Sequence, residues 1–133
     1  MRISIRLASV FFLLLSTFSY SQRSNTVVKA KIVAEEMEGN IKITGTAENL
    51  SDVVQSLSYK LTVIKNSNSN NQSNNSQEGV FSLNPSETKN LSVTQVNLKK
   101  GEGMIVLLLF YDENNKLVGK DRMVFGDEKK KTK

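Results

Sequence analysis

The chain contains no cysteine, no histidine, no tryptophan and a single proline. Without cysteine it forms no disulfide, no thiolate metal site and no thiol nucleophile. Without histidine it lacks the usual general base near neutral pH and the commonest zinc ligand. Most enzyme classes lose their chemistry on these grounds, so neither catalysis nor a cofactor nor a bound metal is expected. The 133 residues allow one small domain, since a second would lack a core of its own. Asn and Ser dominate the polar residues.

Charge is unevenly placed. The formal net charge is +5, but Arg2 and Arg6 precede an apolar run, Leu7 to Phe18, and Ser19-Tyr20-Ser21 then puts small residues before Gln22. A basic start, an apolar centre and a small-residue cleavage site make a secretory signal peptide over 1–21. The apolar run falls short of the ~20 residues that span a bilayer, so no stable membrane insertion is expected after cleavage. Removing the two arginines leaves +3, and four of the remaining lysines sit in Asp127–Lys133, a charged tail. The folded body is close to neutral and has no basic stripe interleaved with aromatics, so nucleic-acid binding is not expected.

Residues 22–126 read as strands. Val28, Ala30, Ile32 and Ala34 alternate with Lys29, Lys31 and Glu35, and after Gly39-Asn40 the residues Ile41, Ile43, Gly45 and Ala47 do the same, which predicts a hairpin with one apolar face. Leu57, Tyr59, Leu61 and Val63 mark a third strand, and Glu78–Leu83 a short fourth. Asn84-Pro85-Ser86-Glu87 forms a turn with Pro where its fixed φ fits. In Thr88–Leu98 the apolar parity changes between Val93 and Val96, which predicts a bulge near Thr94-Gln95. Met104–Tyr111, MIVLLLFY, is apolar throughout and belongs in a central strand or one covered on both faces. Lys116–Phe125 is the last strand. Seven strands with no helical period indicate an all-β, antiparallel, immunoglobulin-like sandwich. Lys29, Lys31, Lys120 and Arg122 are suited to guarding its edges.

Between the third and fourth strands, Asn66–Gln77 reads NSNSNNQSNNSQ and uses only Asn, Ser and Gln. Such side chains satisfy local backbone groups and favour a surface loop. Amide-rich tracts also stack in cross-β ladders, so Asn70, Asn71, Gln72, Ser73, Asn74 and Asn75 are candidate partner-binding residues. Basic strand faces give a second candidate set, Lys29, Lys31 and Lys42 on the first hairpin and Lys60 and Lys65 on the third strand. Glu35, Glu36 and Glu38 form an acidic cluster that an exposed strand end explains, and Asp112–Asn115 lacks the spacing of a calcium loop.

The stretch from Tyr59 to Leu98 resembles the curli assembly chaperones of the CsgH and CsgC type. The elements that carry the resemblance are Tyr59, Leu61, Val63 and Lys65 on the strand, the polar tract, Gly79, Phe81, Leu83, Pro85 and Glu87 through the turn, and Val96-Asn97-Leu98. The resemblance implies a monomeric, periplasmic, immunoglobulin-like domain that binds curlin-type amyloid subunits and restrains their premature polymerisation without ATP. CsgC-type members carry a C-x-C pair that this chain lacks, so a redox role tied to that pair does not carry over. A passive exported module for adhesion or envelope structure, a minor curli fibre component and an extracellular location are the alternatives. The signal-peptide reading has a direct check: intact-mass spectrometry of the exported protein should give a chain beginning at Gln22, and retention of residues 1–21 would refute it.

Overall fold

The computed structural model describes residues 24–67 and 71–126. The expected signal peptide and the charged tail lie outside them, as does Asn70. Seven strands follow in order: β1 Val28–Met37, β2 Asn40–Asn49, β3 Gln55–Asn66, β4 Gln72–Leu83, β5 Thr88–Val96, β6 Gly103–Tyr111 and β7 Leu117–Phe125. They form two antiparallel sheets, β1-β2-β5 and β4-β3-β6-β7. This is the expected immunoglobulin-like sandwich, with one difference from antibody constant domains: the fourth strand pairs with the third instead of joining the first sheet.

The alternation in the sequence sets the core. Val28, Ala30, Ile32, Ile41, Ile43 and Ala47 of one sheet meet Leu57, Leu61, Val106, Leu108 and Phe110 of the other, all buried. Two aromatic contacts fix one end, with Phe81 edge-on to Phe110 at 5.2 Å and Tyr59 tilted against Phe81 at 6.1 Å between ring centroids. Gly119 makes room for this cluster, because a Cβ there would stand 2.7 Å from Phe110 Cδ2.

Several boundaries differ from the sequence reading. The first hairpin turns on Glu38-Gly39, with Gly39 at φ 77°, one residue earlier than expected, since Met37 pairs with Asn40. The bulge in β5 is at Leu91 and not at Thr94-Gln95, because Gly45 faces Ser92 and Thr46 faces Asn90. Val93, whose apolar character suggested an inward residue, is half exposed. Leu91 and Ser92 turn inward together, and the Ser92 hydroxyl is buried without a partner. A second bulge, at Val118 in β7, has no signature in the sequence. The largest correction concerns the amide tract. β4 begins at Gln72, so half of the expected loop is strand, and only residues 67–71 separate it from β3.

Among the described residues, Asn49 is a polar residue that is buried whole. Asn49 is 1% exposed, and its amide nitrogen lies 2.8–3.1 Å from the carbonyls of Val53, Leu83 and Asn84 while its Oδ1 accepts from the Ser51 N–H and hydroxyl. It thereby ties the β2–β3 loop to the end of β4. The following turn has Pro85 at its second position and Ser86 at φ 65°, closed by the Glu87 N–H to Asn84 carbonyl bond of 3.0 Å. Asn49→Ala should lower stability by about 1–3 kcal/mol, since it strands the buried Leu83 carbonyl and releases the part-buried bonds to Val53 and Asn84, and a urea titration should show the shift in midpoint.

Candidate partner-binding site

Four strands end the two sheets, and they are finished differently. On one side β1 and β7 lie against each other. Asn25, at φ 63°, donates from its backbone to Val118 O and from its side chain to Lys120 O, and its Oδ1 accepts from the Ala30 and Lys120 N–H groups. Asp121 Oδ2 accepts the Ile32 N–H at 2.8 Å. The guarding residues expected from the sequence, Lys29, Lys31, Lys120 and Arg122, all sit on these two strands.

On the other side the edge of the four-stranded sheet is β4. Its twelve residues pair with β3 in unbroken register from Gln55↔Leu83 to Asn66↔Gln72, and no described strand takes its other edge. At ~3.3 Å per residue this edge runs for about 40 Å. Gln72 to Ser76 are exposed, Val80 is 84% exposed, and Glu78 is the one charged residue on the strand. Natural edges are blunted by lysine, proline or a bulge, and β4 has none of these.

The strand forms there because its partner dictates it. β3 carries Leu57, Leu61 and Val63 into the core, and the turn bond from Ser67 N–H to Asn71 O returns the chain directly alongside. Alternate residues from Gln72 to Gln77 then bond their backbone groups to β3, and side chains add cross-strand contacts such as Thr62 Oγ1 to Ser76 Oγ at 3.2 Å. Asn71 ends the turn, and Gln72, Ser73, Asn74 and Asn75 lie together on the edge. Val80 belongs to the same edge and escaped the sequence reading. Its parity places it outward, a signal that the short apolar run Val80-Phe81 obscured.

The lysines do not form one basic face. Lys29, Lys31 and Lys42 share the outer face of the three-stranded sheet, but Lys29 stands opposite Glu48 and Lys42 opposite Glu35, leaving Lys31 opposite Thr46. Lys60 and Lys65 lie beside β4 on β3. Lys60 Nζ is 4.0 Å from Glu78, both exposed, a pair that contributes little. Lys65 Nζ donates to Asn97 O at 2.8 Å and lies 3.7 Å from Glu102, which fastens β3 to the loop before β6. The Asp112 carboxylate is used by the Asn114 and Lys116 N–H groups, so it shapes a turn. Among the described residues no group of three or more acidic side chains is placed to hold a metal.

No protein-family model matches the sequence, and no curated protein does. Solved structures do. CsgH of R. palustris is 16% identical with a TM-score of 0.54, over 77% of this chain and 94% of that one. The E. coli curli protein CsgC is 12% identical with a TM-score of 0.59, over 71% and 96%. A β-glucuronidase of Bacteroides uniformis is 10% identical with a TM-score of 0.53, over 75% of this chain but 14% of the enzyme. At these identities the likeness is one of fold.

The close approach of β3 and β4 gives a test of the edge. A Cβ at Gly79 would stand 2.8 Å from Tyr59 Cε1 and 3.2 Å from its hydroxyl oxygen. Gly79→Ala should therefore cost about 1–3 kcal/mol through overpacking, and most of that cost should vanish in a Tyr59→Ala background when the two are measured as a double-mutant cycle.

Proposed function

We propose that this protein is an exported binding protein that restrains the polymerisation of curlin-type amyloid subunits, acting as a monomer in the periplasm without ATP, cofactor or catalysis. The observation that carries the reading is the long, unbulged, amide-rich edge of β4. A client strand rich in Asn, Gln and Ser can add to that edge through backbone hydrogen bonds while its side-chain amides meet those of Gln72 to Gln77. One edge of the added strand is then held by a folded domain and not by another client, so the cross-β stack cannot grow from that edge. The fold shared with CsgH and CsgC supports this reading, as does the tract that the resemblance singled out. Electrostatic capture by Lys29, Lys31 and Lys42 has less support, because two of the three face acids across the ladder.

The likeness to a small part of a β-glucuronidase favours a second reading, a passive sandwich module, because the same fold serves in a larger chain. Curlin polymerisation followed by amyloid-dye fluorescence separates the two. The wild-type protein should lengthen the lag well below one molecule per curlin. Gln72→Lys with Asn74→Lys, both exposed on β4 and opposite the uncharged Asn66 and Ile64, should abolish that effect without changing the thermal midpoint, since lysines on an edge strand oppose a further strand. An unchanged lag with wild-type protein at equal concentration would sink the proposal in favour of the passive module.

A further inference from the structure

β6 is apolar on both faces, and only one face is covered. Met104, Val106, Leu108 and Phe110 are buried between the sheets. Ile105, Leu107, Leu109 and Tyr111 point the other way and remain half-buried on the outer face of the four-stranded sheet. The register places Ile105 between Ile64 and Val124, Leu107 between Thr62 and Arg122, and Leu109 between Lys60 and Lys120. The outcome is an apolar floor with cationic rims, ending in a shallow depression lined by Ser58, Lys60, Glu78, Val80 and Tyr111. A strand that is apolar at every position is normally covered on both sides. Among the described elements none lies over this one.

The chemistry of the face limits what fits. Lys120 and Arg122 have no acid beside them on this face, whereas Lys60 has Glu78. The acids Asp112 and Glu113 lie past Tyr111 at one end. A single strand laid on the face of a sheet leaves its own N–H and C=O groups unpaired, whereas a helix satisfies them internally. A bilayer meets protruding apolar side chains, and here Leu107 and Leu109 lie beside the longer Arg122, Lys60 and Lys120.

We propose that the outer face of β6 docks an amphipathic α-helix of a partner protein, with its apolar side on Ile105, Leu107, Leu109 and Tyr111 and its carboxylates against Lys120 and Arg122. From Ile105 to Tyr111 the floor runs about 20 Å, which matches a helix of about 13 residues. Its width, about 10 Å between the strands flanking β6, matches a helix diameter. The surface is separate from the β4 edge, and its role stands whether or not curlin binds there.

The test is an NMR titration of isotope-labelled protein, purified as the producing cell releases it, with a synthetic helical peptide of about 14 residues. The peptide carries leucines along one face and glutamates on both flanks. A second peptide of the same composition scatters the leucines. The patterned peptide should shift the signals of Ile64, Ile105 to Tyr111 and Val124, leave Gln72 to Gln77 unmoved, and bind in the roughly micromolar range expected of a small interface. Lys120→Glu with Arg122→Glu, both exposed, should weaken it by about tenfold or more at an unchanged thermal midpoint. Leu107→Gln should weaken it without removing its salt dependence. No shifts at about 1 mM peptide, equal binding of the scrambled peptide, shifts confined to β4, or binding of vesicles containing anionic phosphatidylglycerol in place of the peptide would each overturn the proposal.

Discussion

The last strand of a sheet leaves a row of N–H and C=O groups without partners, and a sandwich of two open sheets has four such rows. How each row is finished determines much else in this molecule. On the β1/β7 side the rows are brought together and tied by Asn25 and Asp121, with lysines and an arginine outside. The side formed by β4 and β5 has only light cross-links, such as Lys89 Nζ to Ser82 O and the turn at Pro85. The same seven strands therefore present one closed flank and one open one. That asymmetry, more than any single residue, separates the surface that holds the domain together from the surface available to another chain.

The architecture was largely legible because burial writes a period of two. β1 and β2 alternate cleanly, since one face of each is in the core and the other in water. MIVLLLFY reads as a central strand or one covered on both faces, and it is the first of these, lying between β3 and β7. The failures are physical too. A run drawn from Asn, Ser and Gln has no apolar residue to reveal alternation, so the strand from Gln72 to Gln77 is invisible to a hydropathy pattern. It is imposed by β3 across the ladder, a tertiary effect. The bulge at Leu91 was displaced in the reading because Val93, an apolar residue on the outer face, mimicked the inward parity, while Ser92, a polar one, took the inward place.

The candidate site was legible in composition but not in geometry. The amide tract stands out by composition, and its residues Gln72 to Asn75 share an edge strand that no composition reveals. The lysines illustrate the opposite case. Lys29 and Lys42 read as basic when taken along the chain, and their charges are balanced only across the ladder, where Glu48 and Glu35 stand opposite. Pairing is non-local information, and linear charge patterns do not contain it. The low-identity relatives add fold and not residues, which is why the argument for a client rests on the edge itself.

The tie at Asn25 has one further consequence. Asn25 bonds to Val118 and Lys120 at the start of β7, and Ile32 reaches Asp121 further along, so β1 and β7 run side by side in the same direction. The chain thus enters beside the beginning of β7 and leaves beyond Phe125, about 23 Å further along the strand axis. A pull on the two ends would act parallel to the strands. It would load this flank in shear, straining its hydrogen bonds together instead of peeling them apart one after another.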